Sequence, residues 1–190
     1  MRLEVIMDED GFPESPRKWG NAWTLVPHKK FRYSNLFDDT GVQVGWEDFT
    51  EYEDVNYKSL AKKTGERISI AVPVYIMEHG TITLSRGHFY DVDPCRWDWG
   101  VAGIAYMTTK ARKEFWKREA ALKRLDDELE ILTAYANGEI WEYRIYDDDG
   151  KLILAVGGYY SEEEAEQAGK EELASWEKHT PKQLTLPLEV

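Results

Sequence analysis

Three features of the sequence predict an α+β fold with a mostly antiparallel sheet. Short β-forming runs alternate with turn signals, one long amphipathic pattern fills the chain after residue 109, and a capped helical pattern lies near the C-terminus. The first run, RLEVIMD, carries Val5 and Ile6 and is ended by turn-forming residues 8–11. A Pro-containing loop, FPESPRKWGN, leads to a second run at residues 22–26, AWTLV. Residues 27–54 lack periodicity, mixing basic and aromatic residues and then aromatic and acidic ones; irregular structure with a short helix is expected there.

Residues 68–77, ISIAVPVYIM, form the most apolar stretch and read as a buried strand, in which Pro73 calls for a bulge or a sheet edge. A turn at His79 and Gly80 and a short strand at 81–84 follow, and a further strand is expected at 101–107. The clearest helix comes next. Thr109 is placed to cap it, and Ala111, Phe115, Leu122, Leu125, Leu129, Leu132 and Ala136 recur mostly three or four apart, giving one buried stripe. Asn137 and Gly138 end it, so a helix of about 28 residues, roughly 40 Å long, is expected. The hairpin EIWEYRIYDD–DG–KLILAVGGYY suits a type I′ turn at Asp149 and Gly150. Ser161 and Glu164 form a capping box for a second, shorter helix with Ala165, Gly169, Leu173 and Trp176 on its apolar face. The expected organisation is one α+β domain over residues 1–178 and a peptide tail over 179–190.

A chain of 190 residues with 42% hydrophobic residues, 8 Trp and 11 Tyr can bury a substantial core. With 24 basic against 36 acidic residues, the net charge of −12 repels nucleic acid and favours basic partners. Direct DNA or RNA binding is therefore not expected. The single Cys95 excludes a disulfide framework and suits a reducing compartment. No signal-peptide pattern and no run of about twenty apolar residues occurs, so a bacterial cytoplasmic location and no membrane association are expected.

The tail QLTLPLEV ends the helical pattern behind His179 and Pro181. Its apolar side chains Leu184, Leu186, Leu188 and Val190 alternate, as suits an extended peptide, with Pro187 lowering the entropy lost on binding. Gln183, Leu184, Leu186, Pro187 and Leu188 closely resemble the peptide by which bacterial polymerases and repair proteins dock on the β sliding clamp. That resemblance implies binding through this segment with an affinity of about 1 μM, on the order of −8 kcal/mol. The competing reading is a last edge strand packed on the chain's own core.

A second region, residues 78–106, contains the residue types of a thiol nucleophile, a base and an orienting carboxylate in Cys95, His79 and Asp98. His88, Asp91 and Asp93 could join His79 around a divalent ion, although no helical His spacing or Cys pair is present, and neither a metal nor a cofactor is expected. The alternative is a rigid structural turn in which Cys95 and Trp97 are core, Asp98 bonds backbone N–H groups, and Gly100 and Gly103 permit tight bends. His79, Ile82 and Thr83, followed by Cys95, Trp97, Asp98, Gly100, Gly103 and Tyr106, resemble the motifs of a family of uncharacterised proteins carried by bacteriophages and plasmids. The resemblance covers roughly residues 1–118, departing at Gly80, Arg96 and Trp99. It implies a mobile-element context and no particular activity.

Acidic residues cluster at Glu47, Asp48, Glu51, Glu53 and Asp54 and at Asp126, Asp127, Glu128 and Glu130. Such a face could imitate a phosphate ladder and occupy a nucleic-acid-binding defence protein. It could equally be solvated surface, and the basic first half of the long helix weakens mimicry. Neither a P-loop nor GxGxxG is present. The reading with most support is a non-enzymatic phage or plasmid accessory protein docking on the sliding clamp. An acidic anti-restriction or anti-CRISPR inhibitor and a small Cys/His enzyme are the alternatives.

Overall fold

The computed structural model describes residues 1–8, 14–50 and 54–179. In chain order its elements are β1 (Arg2–Met7), β2 (Thr24–Pro27), α1 (Tyr57–Thr64), β3 (Ile68–His79), β4 (Thr81–Ser85), β5 (Trp99–Thr108), α2 (Arg118–Asn137), β6 (Trp141–Tyr146), β7 (Leu152–Tyr159) and α3 (Glu162–His179). This is the expected α+β class with antiparallel sheets. The chain divides into two compact units, Glu14–Gly138 and the pair of segments Met1–Pro13 and Glu139–Val190, where the sequence suggested one continuous body. After Gly138 the chain pairs β6 with β1, from its very beginning, so two sheets form instead of one.

The unit Glu14–Gly138 holds the sheet β2-β5-β3-β4. Its strands alternate side chains between two covered faces. Leu25, Val74, Ile76 and Met107 pack with Leu125, Leu129 and Leu132 of α2 on one face. Val26, Ala71, Ile104 and Tyr106 pack with Val44 and Leu60 on the other. Pro73 fits as the sequence anticipated. It lies in the part of β3 that pairs with β5 alone, since β4 joins only from Tyr75 onward, and an irregularity follows between Val74 and Tyr75. The helix α1 lies just past the irregular stretch, capped by the Asn56 side chain on the Ser59 N–H and ended by left-handed Gly65.

The long helix is shorter than expected, 20 residues instead of about 28. Thr109 is not its cap. The Thr108 hydroxyl accepts from the Ala111 N–H and starts a separate 3-10 turn, Ala111–Glu114, after which Phe115 is extended. Ala111 and Phe115 pack against the core from this turn, which explains why they matched the helical stripe. Helix α2 begins only after the extended residue Lys117, with no side-chain cap.

The other unit is the sheet β1-β6-β7 with α3 against it. The α3 face is as expected where it is tightest: Ala165 is fully buried, and Gly169 lies so close to Leu3 and Tyr143 that a Cβ would stand 2.6 Å from a Leu3 methyl. The hairpin turn differs from type I′. Asp147 N–H donates to the Lys151 carbonyl, Gly150 N–H donates to the Asp147 carbonyl, and Gly150 alone is left-handed at φ 80°. The Asp147 carboxylate accepts from the Asp149 and Lys151 N–H groups, which selects this longer bulged turn over a two-residue one.

Candidate functional site

The end of β3 and the start of β5 bring the motif residues of 78–106 together. The Glu78 N–H donates to the Asp98 carbonyl at 2.7 Å, and left-handed Gly80 turns the chain just after His79. His79 Nδ1 and Asp98 Oδ2 stand 3.0 Å apart, with the imidazole 82% exposed. Two members of the predicted trio therefore meet. The third does not join them. Cys95 is exposed, its N–H bonds the Asp93 carboxylate at 3.1 Å, and no hydrogen bond links its thiol to His79 among the described residues. A histidine and an aspartate in water can exchange protons, but without an adjacent nucleophile or a desolvated cavity they supply little catalytic advantage.

The organiser of the loop is Asp93, not Asp98. Its carboxylate accepts from the N–H groups of Cys95, Trp97 and Asp98, at 3.1, 2.6 and 2.9 Å, and its carbonyl accepts from the Trp99 indole. These bonds, the Asp98 N–H first, hold its pKa below the ordinary aspartate value against a smaller opposing effect of burial. They also hold Arg96 in the left-handed region at φ 56°, where its guanidinium lies over the Trp99 ring at 4.5 Å. Of the loop's two tryptophans Trp99 is buried, whereas Trp97 is 88% exposed, so neither Trp97 nor Cys95 is core. Gly100 and Gly103 lie within β5, not in the turns the sequence suggested, although the pairing with β3 is irregular just beside Gly103. Gly103 instead lets β2 approach: a Cβ there would stand 2.1 Å from the Val26 carbonyl oxygen.

A groove of about 450 Å³ opens beside this loop, lined by Lys30, Arg32, Glu78, Trp97, Asp98 and Trp99 among others. Arg32 pairs with Glu78 across it. His88 packs edge-on against Tyr90 with ring centres 4.7 Å apart, and among the described residues no three His, Cys, Asp or Glu side chains are arranged to hold a metal ion.

The proposed acidic face loses two members. Asp48 is fully buried and accepts from the Gly45 N–H, Ser59 and Lys63; burial raises its pKa, but these bonds outweigh that and hold it below the ordinary value. Glu128 is 4% exposed and accepts from Arg17, Arg124 and the Ala22 N–H. On the surface, Asp126 and Asp127 pair with Arg86 and Lys123, and Glu47 with Lys29 and Lys63, which leaves Asp54 and Glu130 as the members without an ion pair among the described residues. Glu51, Glu53 and the docking candidates Gln183, Leu184, Leu186, Pro187 and Leu188 lie outside the described residues.

Arg17 and Trp116 carried no sequence signal of their own. Arg17 is identified only by its partners 21 and 111 residues away, and Trp116 stands 96% exposed beside the unexpected 3-10 turn. No family model matches the chain, and neither the curated proteins nor the solved structures provide a match.

Asp93→Ala should loosen the loop without unfolding the sheet. Trypsin cleavage after Arg96 should accelerate several-fold while the global unfolding midpoint moves little. Because the folded-state pKa of Asp93 is depressed, the same loosening should appear in the wild type only on acidification. The loop's order is complete above the unfolded aspartate pKa and is lost as pH falls through the lower folded value. Cleavage at the wild-type rate in Asp93→Ala would refute this role.

Proposed function

We propose that this chain is a non-enzymatic binding protein that docks on the bacterial β sliding clamp through Gln183, Leu184, Leu186, Pro187 and Leu188, as an accessory factor of a phage or plasmid in the bacterial cytoplasm. The observation that carries the reading is the QLTLPL sequence itself, three residues past the end of α3 and behind Pro181. Its alternating leucines suit pockets that read every second side chain, with a glutamine to fix register. That no hydrogen bond joins the Cys95 thiol to the pair of His79 and Asp98 among the described residues favours binding over catalysis.

Surface plasmon resonance on an immobilised clamp tests the reading. The full chain should bind at about 1 μM, and both a chain ending at His179 and the Gln183→Ala/Leu186→Ala variant should lose binding. If the intact protein shows no binding while truncation lowers the melting temperature, the tail is part of the core and clamp docking is wrong.

A second reading is favoured by the distribution of charge. Met1–Pro13 with Glu139–Val190 contain 6 Lys and Arg against 17 Asp and Glu, whereas Glu14–Gly138 contain 18 against 19. The acidic surplus is thus concentrated in the smaller unit, where Glu162, Glu163 and Glu164 open α3. An acidic inhibitor of a nucleic-acid-binding defence protein would use that unit, and its binding would weaken steeply with salt.

A further inference from the structure

The unit Glu14–Gly138 carries almost no net charge, and its cations are not spread evenly. Residues 110–118 read KARKEFWKR, with Lys110, Arg112, Lys113, Lys117 and Arg118 against the single carboxylate of Glu114. The segment is a 3-10 turn followed by an extended stretch, pinned to the core by Ala111 and Phe115. With Phe115 turned inward, its neighbour Trp116 is left 96% exposed. Arg112 donates to the Phe115 carbonyl and fixes the turn from which the indole projects.

Lys110, Lys113, Lys117 and Arg118 are exposed and have no carboxylate partner among the described residues. The next cations along α2 differ, since Lys123 and Arg124 are neutralised by Asp127 and Glu128. Lys117 and Arg118 also stand at the positive end of the α2 dipole, an arrangement that costs stability and that folding does not require.

We propose that residues 110–118 form a binding surface for single-stranded nucleic acid. The Trp116 indole stacks on one base, and Lys110, Lys113, Lys117 and Arg118 contact the flanking phosphates. An exposed ring among unpaired cations matches the two contacts that single strands offer, a free base face and a closely spaced anionic backbone. A duplex fits less well, because its base faces are already stacked and offer no free face to the Trp116 indole. The overall charge of −12 does not forbid this: beyond a Debye length of about 8 Å the distant carboxylates are screened, so the local cations dominate. The surface is independent of the tail and of clamp docking.

Fluorescence anisotropy with labelled oligo(dT) of about 20 nucleotides, longer than a single compact binding fold covers, tests this on the full chain from about 0.1 M salt upward, where the distant carboxylates are screened. The wild type should bind, with Trp116 emission quenched on stacking. Trp116→Ala should weaken binding about ten-fold, and Trp116→Phe should keep much of it. Lys113→Ala/Lys117→Ala should lower the slope of log affinity against log salt by about 1.4. These side chains are exposed, so unchanged melting temperatures should accompany every loss. Absent oligonucleotide binding, or binding indifferent to both Trp116→Ala and the lysine pair, overturns the proposal. So does tighter binding to phosphatidylserine vesicles than to the oligonucleotide, which would make the surface a lipid contact.

Discussion

Arg17→Ala is expected to destabilise the protein by about 3–5 kcal/mol, the range for stranding buried charges. The guanidinium is only 4% exposed and bonds Asp38 with two nitrogens, Glu128 with a third contact at 3.0 Å, and the Trp23 carbonyl at 2.5 Å. Deleting it removes the cation between two carboxylates, one of them 2% exposed, and leaves a buried carbonyl without its donor. Arg17→Lys should recover only part of the loss, because an ammonium cannot reproduce the planar fork. The double change Arg17→Met/Glu128→Leu should not restore wild-type stability, since Asp38 keeps its charge without the Arg17 fork and the Ala22 N–H loses its acceptor. Urea unfolding followed by tryptophan emission measures all of these. A loss under about 1 kcal/mol for Arg17→Ala would place the pair with ordinary surface contacts and sink the argument.

The same network marks where sequence reasoning stopped. The stripe of Leu125, Leu129 and Leu132 was legible because helical spacing is local. Glu128 falls beside that stripe, and its burial depends on Arg17, a residue 111 positions away that periodicity cannot supply. A carboxylate in a run such as DDELE therefore reads as surface until its partner is known. The helix start was misplaced for a related reason. Ala111 and Phe115 satisfy the spacing of the stripe, but they do so from a 3-10 turn that Thr108 caps one residue earlier than expected.

In the candidate site, residue types were legible and geometry was not. His79 and Asp98 meet because β3 and β5 are neighbours in the sheet and the Glu78 N–H bonds the Asp98 carbonyl. Asp93 was one acidic residue among several until its carboxylate was found beneath three N–H groups. Net charge is coarse in a different way. It is a property of the whole chain, whereas a partner meets one surface, and here the smaller unit holds most of the acidic surplus. The basic run at 110–118 was legible in the sequence, but only the structure shows that Lys123 and Arg124 beyond it are paired while Lys110, Lys113, Lys117 and Arg118 have no carboxylate partner among the described residues.

The largest effect expected from a single added methyl is at Gly103. Gly103→Ala should cost about 3 kcal/mol, at the upper end of ordinary overpacking. Its Cβ would lie 2.1 Å from the Val26 carbonyl oxygen and 2.9 Å from the Phe37 ring. A flexible side chain could swing away, but the nearest atom is backbone of β2, whose four residues are held to β5 in register with Tyr106, Ala105, Ile104 and Gly103. Relief therefore requires β2 to move, which strains the bond from His28 N–H to the Ala102 carbonyl at 2.8 Å and disturbs fully buried Leu25 and Val26. Gly100 in the same strand is the matched control, because a Cβ there meets nothing within 4 Å. Gly100→Ala should change stability by no more than about 0.5 kcal/mol. Unfolding midpoints of the two variants separate a steric requirement from a general dislike of side chains in β5. If Gly103→Ala proves as stable as Gly100→Ala, the close approach of β2 to Gly103 is wrong; if it alone falls, the second glycine of the motif is there to let two strands touch.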